Sequence, residues 1–296
     1  MRYSFFPGCT LKSTGIEYNK SLKYVNKTIG VELIEINDWN CCGATSGHST
    51  SKELGLALPA RNIALCEQQE LHLPIAVACA ACYARMRHSS SEIRSSQEQR
   101  QKLSRLVEMP IKGNLDVLNI LDVYNTKEAR GAIQRTIKKT LNGLKVACYY
   151  GCLAIRPSNI TGAADTENPM PMDNILESIG CKPVEWAFKS ECCGGSHHID
   201  LPRFAKPLVR QILQNARANG AQAITTACPL CMMNLDMRQV EVNKDYGEKF
   251  DIPIFFFSEL LAIALGADLK TAGITTHFHP AAKLAKNALA GKMEAV

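Results

Sequence analysis

The reading of this chain turns on Cys192-Cys193-Gly194-Gly195 and its twin, Cys41-Cys42-Gly43. Adjacent cysteines are uncommon, and here the pair occurs twice in the same company. Upstream stands a single cysteine after a glycine: Phe6-Pro7-Gly8-Cys9 in the first set, Tyr150-Gly151-Cys152 in the second. Downstream stands a Cys-x-x-Cys: Cys79-Ala80-Ala81-Cys82, then Cys228-Pro229-Leu230-Cys231. The intervening stretches are 31 and 36 residues in the first set and 39 and 34 in the second. Ten of the 13 cysteines fall into this scheme. Cys66, Cys148 and Cys181 lie outside it and read as packing residues, since a buried free cysteine behaves as a small apolar group.

Each cysteine group follows a short apolar run that reads as a strand. In the first half the runs are Tyr3–Phe6, Val31–Ile36 and Pro74–Ala78, with a fourth inside Leu115–Tyr124. Helices are expected from Ser13 or Thr14 to Gly30, over residues 52 to 70 with a break or kink at Pro59, and after Cys82. The polar run Ser89–Gln101 reads as the solvated middle of that last helix. A basic helix is expected over Thr126–Leu141. From Lys145 the order restarts. Strands are expected at Lys145–Tyr150, Pro183–Phe188, Ala223–Ala227 and Ile252–Phe257. Helices are expected at Asp173–Ile179, Arg203–Asn219, from Cys231 through Gln239, at Glu259–Leu265 capped by Ser258, and from Pro280. This alternation predicts an α/β fold of two pseudo-symmetric, Rossmann-like units with mainly parallel sheets. The units are expected to span residues 1–143 and 144–296. Loops after successive parallel strands converge on one sheet edge, so the cysteine sites belong at the C-terminal edges of the strands.

Composition narrows the setting. The chain has 296 residues and a formal charge of +6. No secretory leader opens it and no apolar run is long enough to span a bilayer, so a cytoplasmic location is expected. In a large chain of that kind, cysteines point to metal or redox chemistry and not to a disulfide framework. The basic residues are scattered with little aromatic interleaving, which argues against nucleic acid.

Three uses of the ten thiols compete. Structural zinc takes four ligands, commonly from two Cys-x-x-Cys pairs, and each set offers five thiols with one such pair. Thioredoxin-like redox chemistry explains a Cys-x-x-Cys but not the paired cysteines. Iron–sulfur clusters take thiolate ligands. The glycines after each pair would let backbone amides approach cluster sulfurs, and the helix starts after Cys82 and Cys231 favour an anionic group. Iron–sulfur is therefore the expected chemistry.

The spacing of these motifs, given twice, resembles the signature of CCG domains. A chain of two such domains and little else is similar to the B subunit of methanogen CoB–CoM heterodisulfide reductase. Tyr150 departs from the Pro that precedes Gly in the first copy. The resemblance implies two non-cubane [4Fe-4S] clusters. One would be held by Cys9, Cys41, Cys42, Cys79 and Cys82, the other by Cys152, Cys192, Cys193, Cys228 and Cys231. It implies reduction of the CoM-S-S-CoB disulfide to coenzyme M and coenzyme B thiols in methanogenesis. The implied partners are the flavin-bearing A subunit of that reductase, its small ferredoxin-like C subunit, and a hydrogenase or formate dehydrogenase. Related CCG chains serve lactate, glycerol-3-phosphate and fumarate systems, so an electron-transfer subunit of such a reductase is the alternative. No ferredoxin motif is present here, so a separate chain must bring electrons in.

A thiolate product needs a proton, and His48, His197 and His198, close after the paired cysteines, are candidate donors. His277 and His279 in the tail are expected to be structural. An anionic substrate calls for cations, and Lys12, Arg85, Arg87, Arg156, Lys189 and Arg203 lie near the motif loops.

Overall fold

The computed structural model describes residues 1–44, 46–197 and 201–292. Its frame is two four-stranded sheets, both wholly parallel. The first contains β1 (Arg2–Phe6), β2 (Glu32–Glu35), β3 (Ile75–Val77) and β4 (Val117–Asn119), in the order β2-β1-β3-β4. The second contains β5 (Lys145–Tyr149), β6 (Lys182–Pro183), β7 (Ala223–Thr226) and β8 (Ile254–Phe256), in the corresponding order β6-β5-β7-β8. The duplication seen in the cysteine spacing is thus a duplication of topology. The central strands are buried over most of their length because helices cover both faces, and β3 is buried at every residue. The edge strand β2 keeps its two outer residues exposed.

Strand order places the sites. The chain leaves β1 for β2 on one side and returns across β1 to β3 on the other, so β1 and β3 flank a topological switch point. Ligands bind at the carboxyl ends of strands there. Cys9 follows β1, Cys41-Cys42 follows β2, and Cys79 follows β3; Cys152, Cys192-Cys193 and Cys228 follow β5, β6 and β7.

The helices form where caps and apolar faces agree. Ser51 Oγ accepts from Leu54 N–H at 3.0 Å and starts the helix Lys52–Gln68. That helix runs unbroken through Pro59, against the expected break. The polar run after Ser89 is not one solvated helix. Ser96 turns extended and caps a new helix, Gln97–Val107, so the run divides between two helices. Ser89 itself is buried and donates to Leu56 O. The basic helix is shorter than expected, Lys127–Thr136, because the chain beyond it is used elsewhere: Lys138 and Lys139 N–H both bond Ala264 O in the second unit. The strand expected at Pro183–Phe188 reduces to β6. After Val184 N–H bonds Val146 O, Trp186 turns inward and donates to Cys148 O. The helix expected through Gln239 ends at Met237, and a second, Gln239–Tyr246, follows. Ser258 is not a cap. Glu259 caps instead, accepting from Phe256 N–H at 2.9 Å, and Ser258 lies buried inside the helix Phe257–Ala264.

That last helix is buried along its whole length because it packs on the first unit's Ile16–Ile29 helix. Ser21 and Ser258 share a hydrogen bond of 2.7 Å there, and Tyr18 stacks on Phe256 with centroids 4.2 Å apart. Two further ties cross between the units: Tyr83 hydroxyl to Thr161 O at 2.7 Å and Asn125 amide to Pro171 O at 2.9 Å. Cys66, Cys148 and Cys181 are buried in this core.

Candidate functional site: two five-thiol sets in contact

Each cysteine set is built the same way. Two thiols are reached by solvent at least in part, Cys9 and Cys41 in the first set, Cys152 and Cys192 in the second. The other three of each set are buried. Cys42 and Cys82 sulfurs lie 3.2 Å apart, and their counterparts Cys193 and Cys231 lie 3.6 Å apart. Gly43 N–H points to Cys41 Sγ at 3.5 Å and Gly194 N–H to Cys192 Sγ at 3.3 Å. All five thiols of the second set line one cavity, with Ala80 and Ala81 of the first unit on its wall.

The glycines before the first cysteines are part of this construction. Gly8 (φ 69°) and Gly151 (φ 67°) sit in the left-handed region, which favours glycine. A Cβ on Gly8 would lie 3.0 Å from Cys82 Sγ, and one on Gly151 would lie 3.2 Å from Cys231 Sγ. Both positions must stay bare for the first and last thiols of a set to approach one another.

Charge is unequally shared within each set. Hydrogen bonds from Cys42 and Cys9 hold the Cys41 thiol far down, at about 2, against the opposing cost of burial. Its counterpart Cys192 is held at about 6, chiefly by Cys152, with Gly194 N–H assisting. The donating thiols are correspondingly raised; Cys42 is pushed up to about 12, first by Cys41. One thiolate per paired-cysteine turn is therefore favoured at neutral pH, which is the form that binds metal.

The sets are not separate. The Cys79 and Cys228 thiols interact, which raises Cys79 and, together with the larger effect of Cys231, lowers Cys228. Tyr18, fully buried, sits over this junction. Its hydroxyl lies 3.4 Å from both Ala78 O and Ala227 O, the carbonyls just before Cys79 and Cys228. Neither the contact nor Tyr18 was legible from spacing, because motif spacing describes each set alone.

The donor set suits a cluster better than a single ion. No three His, Cys, Asp or Glu side chains among the described residues close on one ion position, as tetrahedral zinc requires. Five thiols spread around a cavity and bare glycines at the sulfurs fit a group of several metal atoms.

The other candidates are placed as follows. His48 is exposed on the short helix Gly47–Thr50, and His197 is exposed in the turn Gly195–His197. His198 lies outside the described residues. Most of the cations are already engaged: Lys12 with Glu35 (2.7 Å), Arg156 with Glu167 (2.7 Å), Lys189 with buried Asp173 (2.8 Å) and Arg87 with Ile160 O (2.8 Å). Arg203 lies over the Phe204 ring, and Arg85 Nε is buried without a partner. His277 is tied to buried Glu259 at 2.9 Å and to Ile254 O at 2.7 Å. Burial opposes its charge, yet Glu259 and Asp236 push its pKa up to about 9.

Two parallel sheets that present matching five-thiol sets at their switch points define a duplicated cysteine-rich α/β protein of the iron–sulfur class. The chain belongs to the CCG cysteine-rich domain family, which matches residues 3–87 and 146–236. It is 31% identical over 285 residues to the 8-methylmenaquinol:fumarate reductase membrane anchor subunit of Wolinella succinogenes, covering 95% of this chain and 98% of that one. It is 29% identical over 279 residues to the B subunit of the ferredoxin/F(420)H(2)-dependent CoB-CoM heterodisulfide reductase of Methanosarcina acetivorans, covering 92% of each. A protein of Archaeoglobus profundus, named for its likeness to the heterodisulfide reductase B subunit, is 26% identical over 284 residues, covering 93% of this chain and 94% of that protein. The fold also matches a crystal structure of a hypothetical protein from Helicobacter pylori, with TM-score 0.71 and 12% identity, over 94% of this chain and 52% of that one. No helix among the described residues is long and apolar enough to cross a membrane.

Proposed function

We propose that this chain is the electron-transferring iron–sulfur subunit of a multisubunit reductase that takes electrons from an uncharged, quinol-type donor. It would hold two [4Fe-4S] clusters, non-cubane by family resemblance, on Cys9, Cys41, Cys42, Cys79 and Cys82 and on Cys152, Cys192, Cys193, Cys228 and Cys231. When bound, such clusters supply one-electron steps, and two of them match a two-electron donor. This chain's residues supply the rest. The glycines leave room at the sulfurs, the paired-cysteine turns hold thiolate charge, and Tyr18 ties the two Cys-x-x-Cys turns together. In the same reading the CCG domains divide between residues 143 and 144.

The observation that carries the choice of donor is the state of the cations. Lys12, Arg156 and Lys189 pair with carboxylates of this chain and Arg87 with a carbonyl, while Arg203 lies over Phe204 and Arg85 Nε is buried away from the cavity lining. Among the described residues, the cavity at the junction of the units has no Lys, Arg or His in its lining. A substrate bearing sulfonate and phosphate is poorly served by such a surface.

The second reading is reduction of the CoM-S-S-CoB heterodisulfide, with a flavin-bearing and a ferredoxin-like partner chain and a hydrogenase or formate dehydrogenase upstream. It is favoured by the relatives named as heterodisulfide reductase B subunits and by the contact of the two sets, which would bring both electrons to one disulfide. The test is to purify the native complex anaerobically, measure iron, sulfide and EPR signals, and run two assays. One follows dye reduction by menadiol, the other oxidation of reduced viologen by the heterodisulfide. The quinol reading expects the first activity. Turnover of the heterodisulfide without any electron uptake from menadiol would overturn it.

A further inference from the structure

The duplication produces two corresponding cavities, and the chain's tail lines only one of them. The first, about 560 Å³, lies where the loop after Cys152 meets the end of β4 and the first unit's Cys-x-x-Cys helix. The second, about 310 Å³, lies where the loop after Cys9 meets the end of β8 and the second unit's Cys-x-x-Cys helix. Parts of their walls correspond. Tyr83 and Met232 each follow the last cysteine of a Cys-x-x-Cys, and Asn119 and Phe256 each end the fourth strand of a sheet. Asp122 and Glu259 stand at the same position of the helices that follow. Each accepts the N–H of the strand's last residue, at 3.2 Å and 2.9 Å.

The difference lies in the tail. Thr276, His277 and Phe278 line the second cavity, and His277 supplies Glu259 with a counter-charge at 2.9 Å. Among the described residues the tail does not reach the first, which is walled instead by the loop of residues 161–171. Asp122 is exposed, and no Lys, Arg or His among the described residues lies within ion-pair distance of it. Solvent reaches its carboxylate, yet the packing around it is close enough to raise its pKa. Around it the lining is largely apolar: Leu121, Ile155, Ala163, Met170 and the rings of Tyr83 and Tyr150. Both tyrosine hydroxyls are occupied, by Thr161 O and by Asp173. Arg87 stands just outside, held on Ile160 O. The cavity has the size of a small-molecule site, with a mainly apolar wall and a few polar groups, Asn119, Asp122, Thr161, Asp165 and Asn168. It is also close to both thiol sets, because Tyr83 adjoins Cys82 and Ala154 lies two residues past Cys152.

We propose that the first, larger cavity binds an uncharged hydroquinone-type ring, whose hydroxyl donates to the Asp122 carboxylate oxygen that does not cap the helix. A planar ring fits between the tyrosine rings and the aliphatic wall, and an acceptor without a nearby ion pair suits a hydroxyl donor. The second cavity is its smaller counterpart, walled in part by the tail. This inference deepens the quinol reading and rests on it.

The test uses the cluster-containing protein and menadiol as probe, with binding read by anaerobic calorimetry and melting temperature recorded for every variant. Asp122→Asn keeps an acceptor for the Asn119 N–H and replaces the charged acceptor of the ring hydroxyl. It is expected to weaken menadiol about tenfold, the scale of one hydrogen bond to a charged group. Ala163→Trp fills the cavity and should abolish binding. Glu259→Gln, at the matching position of the second unit, should leave menadiol affinity unchanged. Wild-type affinity in both Asp122→Asn and Ala163→Trp, with melting unchanged, would overturn the inference. Electron uptake from menadiol that is indifferent to Ala163→Trp would also sink this site while leaving the quinol reading standing. Menadiol binding that Ala163→Trp abolishes, in a protein that passes no electrons from it, would uphold the site and sink the reading.

Discussion

The two halves share sheet order, thiol geometry and even a helix-capping carboxylate, so their differences carry the information. The second half gives its capping carboxylate, Glu259, a buried partner in His277. The first half leaves Asp122 facing an open cavity without an ion-pair partner among the described residues. The tail thus pairs the capping carboxylate of one copy and leaves that of the other to its cavity. A duplicated protein with two identical sites would have no reason to spend a tail on one of them.

Removing the His277 partner should have the largest effect. His277→Ala leaves Glu259, fully buried, as an uncompensated charge, and breaking a buried pair this way costs about 3–5 kcal/mol. The pH dependence has a definite sign. His277 binds its proton more tightly in the folded state, about 9, than the usual value near 6.5 in an unfolded chain. Its stabilisation is therefore complete below about 6.5 and is lost as pH rises through about 9. Glu259, raised by burial, titrates in the same sense. Thermal melting between pH 6 and 9.5 should fall in the wild type, and His277→Ala should lose the part of that fall that centres near 9. A variant that melts like the wild type across the range would show that the tail does not lock the second half.

The paired-cysteine turns give a second, smaller contrast. Gly43 and Gly194 both have positive φ, 71° and 72°, so alanine is strained at either by about 1–2 kcal/mol. The neighbours differ. A Cβ at Gly43 would meet Leu58 Cδ1 at 2.6 Å, the movable end of a flexible side chain. A Cβ at Gly194 would meet Ala205 Cα at 2.9 Å, which moves only with its helix. Gly194→Ala should therefore destabilise more than Gly43→Ala, by about 1 kcal/mol beyond the shared strain. Denaturant unfolding of the two variants measures the difference, and equal losses would mean that the helix Pro202–Ala218 yields as easily as one leucine.

How much of this was legible depended on whether the information was local. The thiol sets, the strand that precedes each group and the repeat itself follow from short motifs, and the sheets confirm the alternation they imply. Boundaries went astray where a distant partner decided them. The basic helix stops at Thr136 because two following amides are claimed by Ala264 O. The segment after Pro183 leaves its sheet because Trp186 bonds Cys148 O. Glu259, not Ser258, caps its helix because Ser258 is engaged with Ser21 across the units. The same limit hid the site's main features. Nothing in the local sequence of Cys79 or Cys228 reveals that the two will touch. Nor does anything near His277 reveal that it will reach a carboxylate in the twin of an open cavity.

Tyr18 gives the smallest expected effect and the finest test of how the halves are joined. It comes from the first unit alone, so the duplication offers the junction a single hydroxyl for two equivalent carbonyls. That hydroxyl is 3.4 Å from Ala78 O and 3.4 Å from Ala227 O. It has one proton and can donate to only one of them at a time. The ring is held independently, by its stack on Phe256 and an edge contact with Phe257. Tyr18→Phe keeps those contacts and removes the hydroxyl, so the global cost should be about 1 kcal/mol. The local consequence is more specific. The carbonyls belong to the residues that start the Cys79 and Cys228 turns, so losing the tie frees the separation of those turns. Iron and sulfide content should stay at the wild-type level. The EPR line shape reporting the interaction between the two sites should change. An unchanged line shape with wild-type iron would mean that the Cys79–Cys228 contact and the helix packing fix the separation without Tyr18.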